Sequence, residues 1–143
     1  MPYHKIAWSD GYAVGVKEID DQHKMLLAIL NDVNRAIADA LGERKLHHLL
    51  WDNFERLNEY AAFHFMSEEK LMQAHLPTDA AMARHIAQHR QYWVRIDEFK
   101  QRARDNEAGI LPQLAGFLND WWLQHIQVTD AQLGRALNAR GVD

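Results

Sequence analysis

Apolar residues recur at intervals of three and four along most of this chain. That spacing places them on one face of an α-helix, whereas a half-buried strand would alternate apolar and polar residues. Runs rich in Val, Ile and Thr with such alternation are absent from the sequence. The pattern predicts four amphipathic helices, over about residues 19–41, 44–74, 79–104 and 111–137.

Signals at the ends of the first segment support its boundaries. Asp20 and Asp21 lie in its first turn, where the helix dipole favours acidic side chains, and Gly42 follows its last turn. Residues 1–18 contain aromatic and apolar residues without helical spacing, together with two glycines. We therefore expect an all-α, up-down-up-down four-helix bundle with an extended N-terminal arm packed across it.

Length and composition fit one domain and exclude several classes of protein. A chain of 143 residues is long enough for one hydrophobic core, so residues 1–143 are expected to form a single domain. The absence of cysteine excludes disulfides and thiolate metal sites. A net charge of −4 argues against a nucleic-acid surface. The sequence shows neither a secretion signal nor an apolar run near the roughly 20 residues of a membrane span, so a cytoplasmic location is expected.

Five histidines on the predicted inner faces and two carboxylates near them in sequence are able to bind metal ions. They are His23 on the first helix, His64 and Glu68 on the second, His85 and His89 on the third, and His125 and Asp130 on the fourth. Five buried imidazoles would each need a hydrogen-bond partner, whereas a shared metal centre satisfies all of them. The other four histidines lie off these faces or near segment ends, and we expect them to be ordinary surface residues. They are His4, His47, His48 and His75.

The donor set narrows the choice of metal. Seven nitrogen and oxygen donors exceed the four ligands of a structural zinc site. Sites rich in imidazole suit iron, copper, nickel or zinc rather than magnesium or calcium. If two carboxylates and one solvent-derived oxygen bridged a pair of six-coordinate ions, one coordination position would remain open. The residues therefore indicate a two-metal centre that accepts one small exogenous ligand.

The order of these residues resembles the pattern of the hemerythrin family. The pattern consists of His23, His64-x-x-x-Glu68, His85-x-x-x-His89 and His125-x-x-x-x-Asp130, and it extends over nearly the whole chain. The opening segment, Trp8-Ser9 followed by residues 15–23 (GVKEIDDQH), is similar to the bacterial branch of that family. The resemblance implies a four-helix bundle with a non-haem di-iron centre that binds O2 reversibly.

The resemblance also implies a role for each donor. His85, His89 and His125 would hold one iron, and His23 and His64 would hold the iron with the open position. Glu68, Asp130 and a solvent-derived oxygen would bridge the two ions. The implied function is oxygen storage, delivery or scavenging rather than catalysis, with O2 and an unidentified O2-consuming recipient as partners. A sensing module for O2, nitric oxide or redox state, a di-iron peroxidase-type enzyme and a structural site for another metal are the alternatives.

Two further expectations concern the surroundings of the centre. Candidate walls of the ligand pocket, chosen by their nearness in sequence to the donors, are Leu26, Leu27, Phe63, Trp121, Trp122 and Val128. As members of apolar stripes, the same residues would also serve as plain core. His125 and Asp130 are five residues apart, which separates them by about 140° on a regular α-helix. We therefore predict a π-type turn or local unwinding of the fourth helix, since such irregularities are frequent at functional sites.

Overall fold

The described part of the protein is built from helices. The structure, a computed structural model, describes residues 5–42 and 47–143. Its helices are α1 (Lys17–Gly42), α2 (His47–His75), α3 (Ala80–Arg104), α4 (Ile110–Gln124), a π-helix (His125–Asp130) that continues α4, and α5 (Ala131–Asn138). These residues contain no strand, and the all-α prediction is confirmed. Within the same ranges, no helix is apolar over enough of its length to cross a membrane.

The helices form the predicted four-helix bundle. α1 contacts α2, α2 contacts α3, α3 contacts α4, and α4 contacts α1, so each helix has two neighbours. α1 begins at Lys17, two residues before the predicted start. The predicted start of the second helix, near residue 44, lies outside the described residues. The remaining boundaries differ from the predicted ones by at most one residue.

A carboxylate and a glycine fix the start of α1. The Asp20 side chain accepts hydrogen bonds from the backbone N–H groups of Val14, at 2.7 Å, and Gly15, at 3.3 Å. Gly15 has a φ of 83°, a left-handed conformation that glycine adopts without steric cost. These contacts hold the chain before the helix against its first turn.

Within the described part of the N-terminal arm, residues 5–16 form neither α-helix nor strand, with a 3-10 turn at Asp10–Tyr12 and extended backbone at Ser9 and Ala13 on either side of it. Asn31 on α1 holds the arm by two hydrogen bonds of 2.8 Å, because its side chain accepts from the N–H of Ile6 and donates to the Ile6 carbonyl. Further along the arm, Val14 and Val16 are buried. The arm therefore covers apolar surface of the bundle from the middle of α1 to its start.

Two apolar clusters occupy the interior, and the metal-competent residues lie between them. Along α1, His23 lies between Ile19 of the smaller cluster and Leu26 of the larger one. Along α3, His85 and His89 follow Met82 of the smaller cluster and precede Tyr92 of the larger one. Along α2 the order is reversed, with Ala61 of the larger cluster before the donors and Met72 of the smaller one after them, and α4 with its continuation is likewise reversed. Apolar side chains thus enclose the polar layer from both ends of the bundle.

Gly134 in α5 marks a close approach between the arm and the bundle. A Cβ atom at this position would lie 2.1 Å from the carbonyl oxygen of Val14. We expect Gly134→Ala to lower the free energy of unfolding by about 1–3 kcal/mol, because the arm must shift to make room. Urea unfolding followed by circular dichroism measures this change.

The control for this prediction is Gly116→Ala in α4. A Cβ atom at Gly116 meets nothing within 4 Å, and alanine favours a helix interior over glycine by about 1 kcal/mol. The control variant is therefore expected to be slightly more stable than the parent protein. Equal stability changes in the two variants would contradict the position of the arm.

Candidate metal centre

The structure brings all seven predicted donor residues together in one buried layer. Each of the seven is at most 2% exposed. α1 contributes His23, α2 contributes His64 and Glu68, α3 contributes His85 and His89, and the π-helix contributes His125 and Asp130. Buried polar and charged groups are costly unless they are paired or coordinate a metal ion. Their convergence from every helix of the bundle therefore marks this layer as the candidate site.

The four histidines that we expected outside the site do not join it where the structure describes them. His48 is exposed on α2, and His75 is partly exposed at the end of that helix. His4 and the side chain of His47 lie outside the described part of the chain.

The π-helix allows both of its donors to face the same centre. It spans His125–Asp130, the segment for which the five-residue spacing predicted an irregular turn. The wider turn reduces the angular separation that a regular α-helix would impose on the two side chains. As a result, Nε2 of His125 lies 3.0 Å from Oδ1 of Asp130.

The donors form two groups that share a carboxylate. Within each group, one donor atom of every residue lies within 4.8 Å of the others. The first group consists of Glu68, His85, His89 and His125, and the second consists of His23, His64, Glu68 and Asp130. Glu68 belongs to both, and its Oε1 lies 3.1 Å from Nε2 of His64 and 3.3 Å from Nε2 of His89. A metal ion in each group could therefore share this carboxylate.

Asp130 presents a different oxygen to the histidines of each group. Its Oδ2 lies 2.7 Å from Nε2 of His23 and 3.3 Å from Nε2 of His64. Its Oδ1 lies 3.0 Å from Nε2 of His85 and 3.0 Å from Nε2 of His125. This orientation is the one that a carboxylate needs in order to bridge two metal ions.

Several of these atoms, although close to one another, make no hydrogen bond of acceptable geometry among the described residues. They are both carboxylate oxygens of Glu68, Oδ1 of Asp130, and Nε2 of His85, His89 and His125. Because buried polar atoms are almost always paired, converging unpaired nitrogens and oxygens indicate a site that fits cations. Imidazole and carboxylate together suit iron and its neighbours among the transition metals.

The two carboxylates control the charge of the imidazoles around them. Burial acts to lower the pKa of His64, but the Glu68 and Asp130 carboxylates outweigh it and raise this pKa to about 10. The same balance raises the pKa of His85 to about 9. Burial acts to raise the pKa values of Glu68 and Asp130, yet the surrounding imidazoles hold both well below their usual range. A metal ion must displace protons from these imidazoles, so its affinity rises with pH.

Two side chains that the sequence analysis did not identify contact the far sides of the imidazoles. Oε1 of Gln22 lies 2.7 Å from Nδ1 of His64, and Oε2 of Glu69 lies 2.9 Å from Nδ1 of His89. When each Nδ1–H donates to these oxygens, Nε2 carries the lone pair that faces the centre. Each of the two residues is adjacent in sequence to a predicted donor, but that donor is not the histidine it contacts, so no sequence signal predicts these pairs.

Four of the six predicted wall residues are at least half-buried near the centre. Leu26, Leu27 and Trp122 are buried in the larger apolar cluster, and Trp121 packs against it. The Trp121 ring stacks on the imidazole of His125, with 4.4 Å between the ring centroids. These positions are compatible with a wall, and their role in lining a ligand pocket stays a prediction.

Phe63 and Val128 are each 49% exposed, so they do not serve as core, and their role in lining a ligand pocket stays a prediction. Nearness in sequence to a donor does not determine burial, because adjacent residues of a helix project about 100° apart. Phe65, two residues after Phe63, is only 3% exposed, and its ring stacks on His89 with 4.0 Å between centroids. In the π-helix, Ile126 is buried where Val128 was expected.

Comparison with known proteins agrees with the geometry of the site. The family model described as Hemerythrin HHE cation binding domain matches residues 14–137. The chain is 29% identical over 129 residues to Bacteriohemerythrin from Pseudomonas aeruginosa, covering 88% of this chain and 77% of that protein. It is 27% identical over 128 residues to Bacteriohemerythrin from Methylococcus capsulatus, covering 90% of this chain and 92% of that protein. It is 25% identical over 123 residues to Myohemerythrin-1 from Phascolopsis gouldii, covering 86% of this chain and 87% of that protein. Because the family match extends over most of its length, this chain belongs to the hemerythrin HHE cation binding domain family.

Proposed function

We propose that this protein binds O2 reversibly at a non-haem di-iron centre. The observation that carries the proposal is the division of the buried donors into two groups that share Glu68. The two oxygens of Asp130, which face histidines of different groups, support the same arrangement. Resemblance to hemerythrins selects iron from the metals that suit an imidazole-rich site.

In this proposal each donor has a defined role. His85, His89 and His125 hold one iron, and His23 and His64 hold the other. Glu68, Asp130 and a solvent-derived oxygen bridge the two ions. When bound, the iron pair supplies the reversible redox chemistry with which O2 is held.

The protein's own residues favour carriage over catalysis. Five neutral imidazoles and two carboxylates place less negative charge on the centre than the glutamate-rich sites of ferritin-like proteins. The apolar clusters on both sides of the donor layer exclude water, and access of this kind influences whether a metal centre carries or activates its ligand. The proposed role is therefore storage, delivery or scavenging of O2, with an O2-consuming protein as the recipient.

Metal analysis combined with optical spectra through repeated removal and readmission of O2 tests the proposal. We expect two irons per chain and a spectrum that returns over many cycles. Irreversible oxidation after one exposure would contradict O2 carriage. Rapid turnover of hydrogen peroxide would contradict it too, and would indicate a di-iron peroxidase-type enzyme instead.

A further inference from the structure

We infer that the two metal positions fill in order, and that the charge of Glu69 makes the position of His85, His89 and His125 the tighter one. The inference rests on the proposed two-metal centre and goes beyond it, because it assigns different affinities to its two halves. One histidine of each position is oriented at Nδ1 by a side chain from outside the donor set. The two orienting side chains differ in charge.

The metal position of His85, His89 and His125 is called the first position, and that of His23 and His64 the second. Glu69 contacts the first position from outside the donor set. Its Oε2 lies 2.9 Å from Nδ1 of His89, which is itself 2% exposed. A carboxylate that accepts the Nδ1–H bond increases the basicity of the opposite nitrogen, which faces the metal. The Glu69 side chain is 39% exposed, so solvent screens part of its direct attraction for a cation. The Glu69 charge therefore influences metal binding mainly through the imidazole of His89.

Gln22 occupies the corresponding place behind the second position. Its Oε1 lies 2.7 Å from Nδ1 of His64, and Gln22 is buried. The amide oxygen fixes the orientation and tautomer of the His64 ring, as a carboxylate would. It carries no net charge, however, so its hydrogen bond is weaker than a charge-assisted one and strengthens the metal-facing nitrogen of His64 less than a carboxylate in its place would.

The number of imidazoles adds to the difference in charge. The first position has three histidines and the second has two, while Glu68 and Asp130 present carboxylate oxygens to the histidines of both. Both differences favour binding at the first position. We therefore expect the first metal ion to bind with His85, His89 and His125, and the second to bind with His23 and His64.

Anaerobic titration of the metal-free protein with Co2+ tests this order. Calorimetry and visible absorption should resolve two binding steps in the parent protein. In proton NMR, the first equivalent should shift the Nδ1–H resonance of His89 by a larger paramagnetic effect than that of His64. The Co2+ probe makes the measurement independent of O2 binding.

Glu69→Gln separates charge from hydrogen bonding. The variant keeps an oxygen that accepts from His89 but removes the negative charge. We expect it to weaken the tighter step by about tenfold or more, within the range typical of residues that orient metal ligands, and to change the weaker step much less. Gln22→Glu should have the reverse effect and strengthen the weaker step, which narrows the gap between the two.

Glu59→Gln is the matched control, because Glu59 is an exposed glutamate on the same helix and the change in net charge is identical. Unchanged constants in Glu69→Gln, or a shift no larger than that of the control, would overturn the inference. Two equal steps in the parent protein would also overturn it and leave the two-metal centre intact. A parent protein that binds only one Co2+ would instead contradict the proposed function.

Discussion

Replacing His64 with alanine is expected to abolish reversible O2 binding while the helical bundle stays folded. Nε2 of His64 lies 3.1 Å from Oε1 of Glu68 and 3.3 Å from Oδ2 of Asp130, so its loss leaves His23 as the only imidazole of the second group. The first group keeps all three of its histidines. Iron content should therefore fall from two ions per chain towards one, and the O2-dependent spectrum should disappear.

The control for this experiment is His48→Ala, which removes an exposed histidine from the same helix. It should retain both irons and the full spectrum. Circular dichroism establishes whether each variant is folded. His64→Gln provides a second variant that preserves much of the buried volume if the alanine variant unfolds. A reversible O2 spectrum in either folded His64 variant would refute the assignment of this residue.

Replacing Phe65 with alanine is expected to lower the free energy of unfolding by about 3–5 kcal/mol, the usual cost of a large cavity in a core. Phe65 stacks on His89 with 4.0 Å between centroids and on Trp122 with 5.5 Å. Truncation would open space directly beside the donor layer, where water could enter. The iron-loaded variant should therefore also lose its O2-binding spectrum in fewer cycles than the parent protein.

Phe63→Ala provides the comparison, since it makes the same chemical change two positions away. Phe63 is about half exposed, so its removal should change the unfolding free energy by no more than about 0.5 kcal/mol. Urea unfolding of the metal-free proteins measures both variants. Equal decreases in unfolding free energy for the two variants would contradict the burial of Phe65 and the exposure of Phe63 on α2.

The contrast between these two phenylalanines shows where sequence reasoning reached its limit. Periodicity correctly identified the face of α2 that carries His64 and Glu68, because residues four apart lie on the same side of any α-helix. It did not determine how far that face extends around the helix. Whether Phe63 or Phe65 is covered depends on the neighbouring helices, and here Tyr92 and Trp122 pack against Phe65.

The irregular turn before α5 could be predicted from the five-residue spacing of His125 and Asp130. His125 and Asp130 point apart on a regular helix, so a shared centre requires the backbone to adapt, and the structure has a π-helix there. By contrast, Gln22 and Glu69 were missed. Each has its partner on another helix, and no local spacing relates Gln22 to His64 or Glu69 to His89.

The sequence by itself determined the helices and the seven candidate donors that turn inward from them, because the geometry within a helix follows from the covalent chain. The tertiary structure alone decided which oxygen of Asp130 faces which histidine, and which side chains orient His64 and His89. These features depend on the distances and rotations between helices. They are set by how the whole core packs, which no spacing along a single helix encodes.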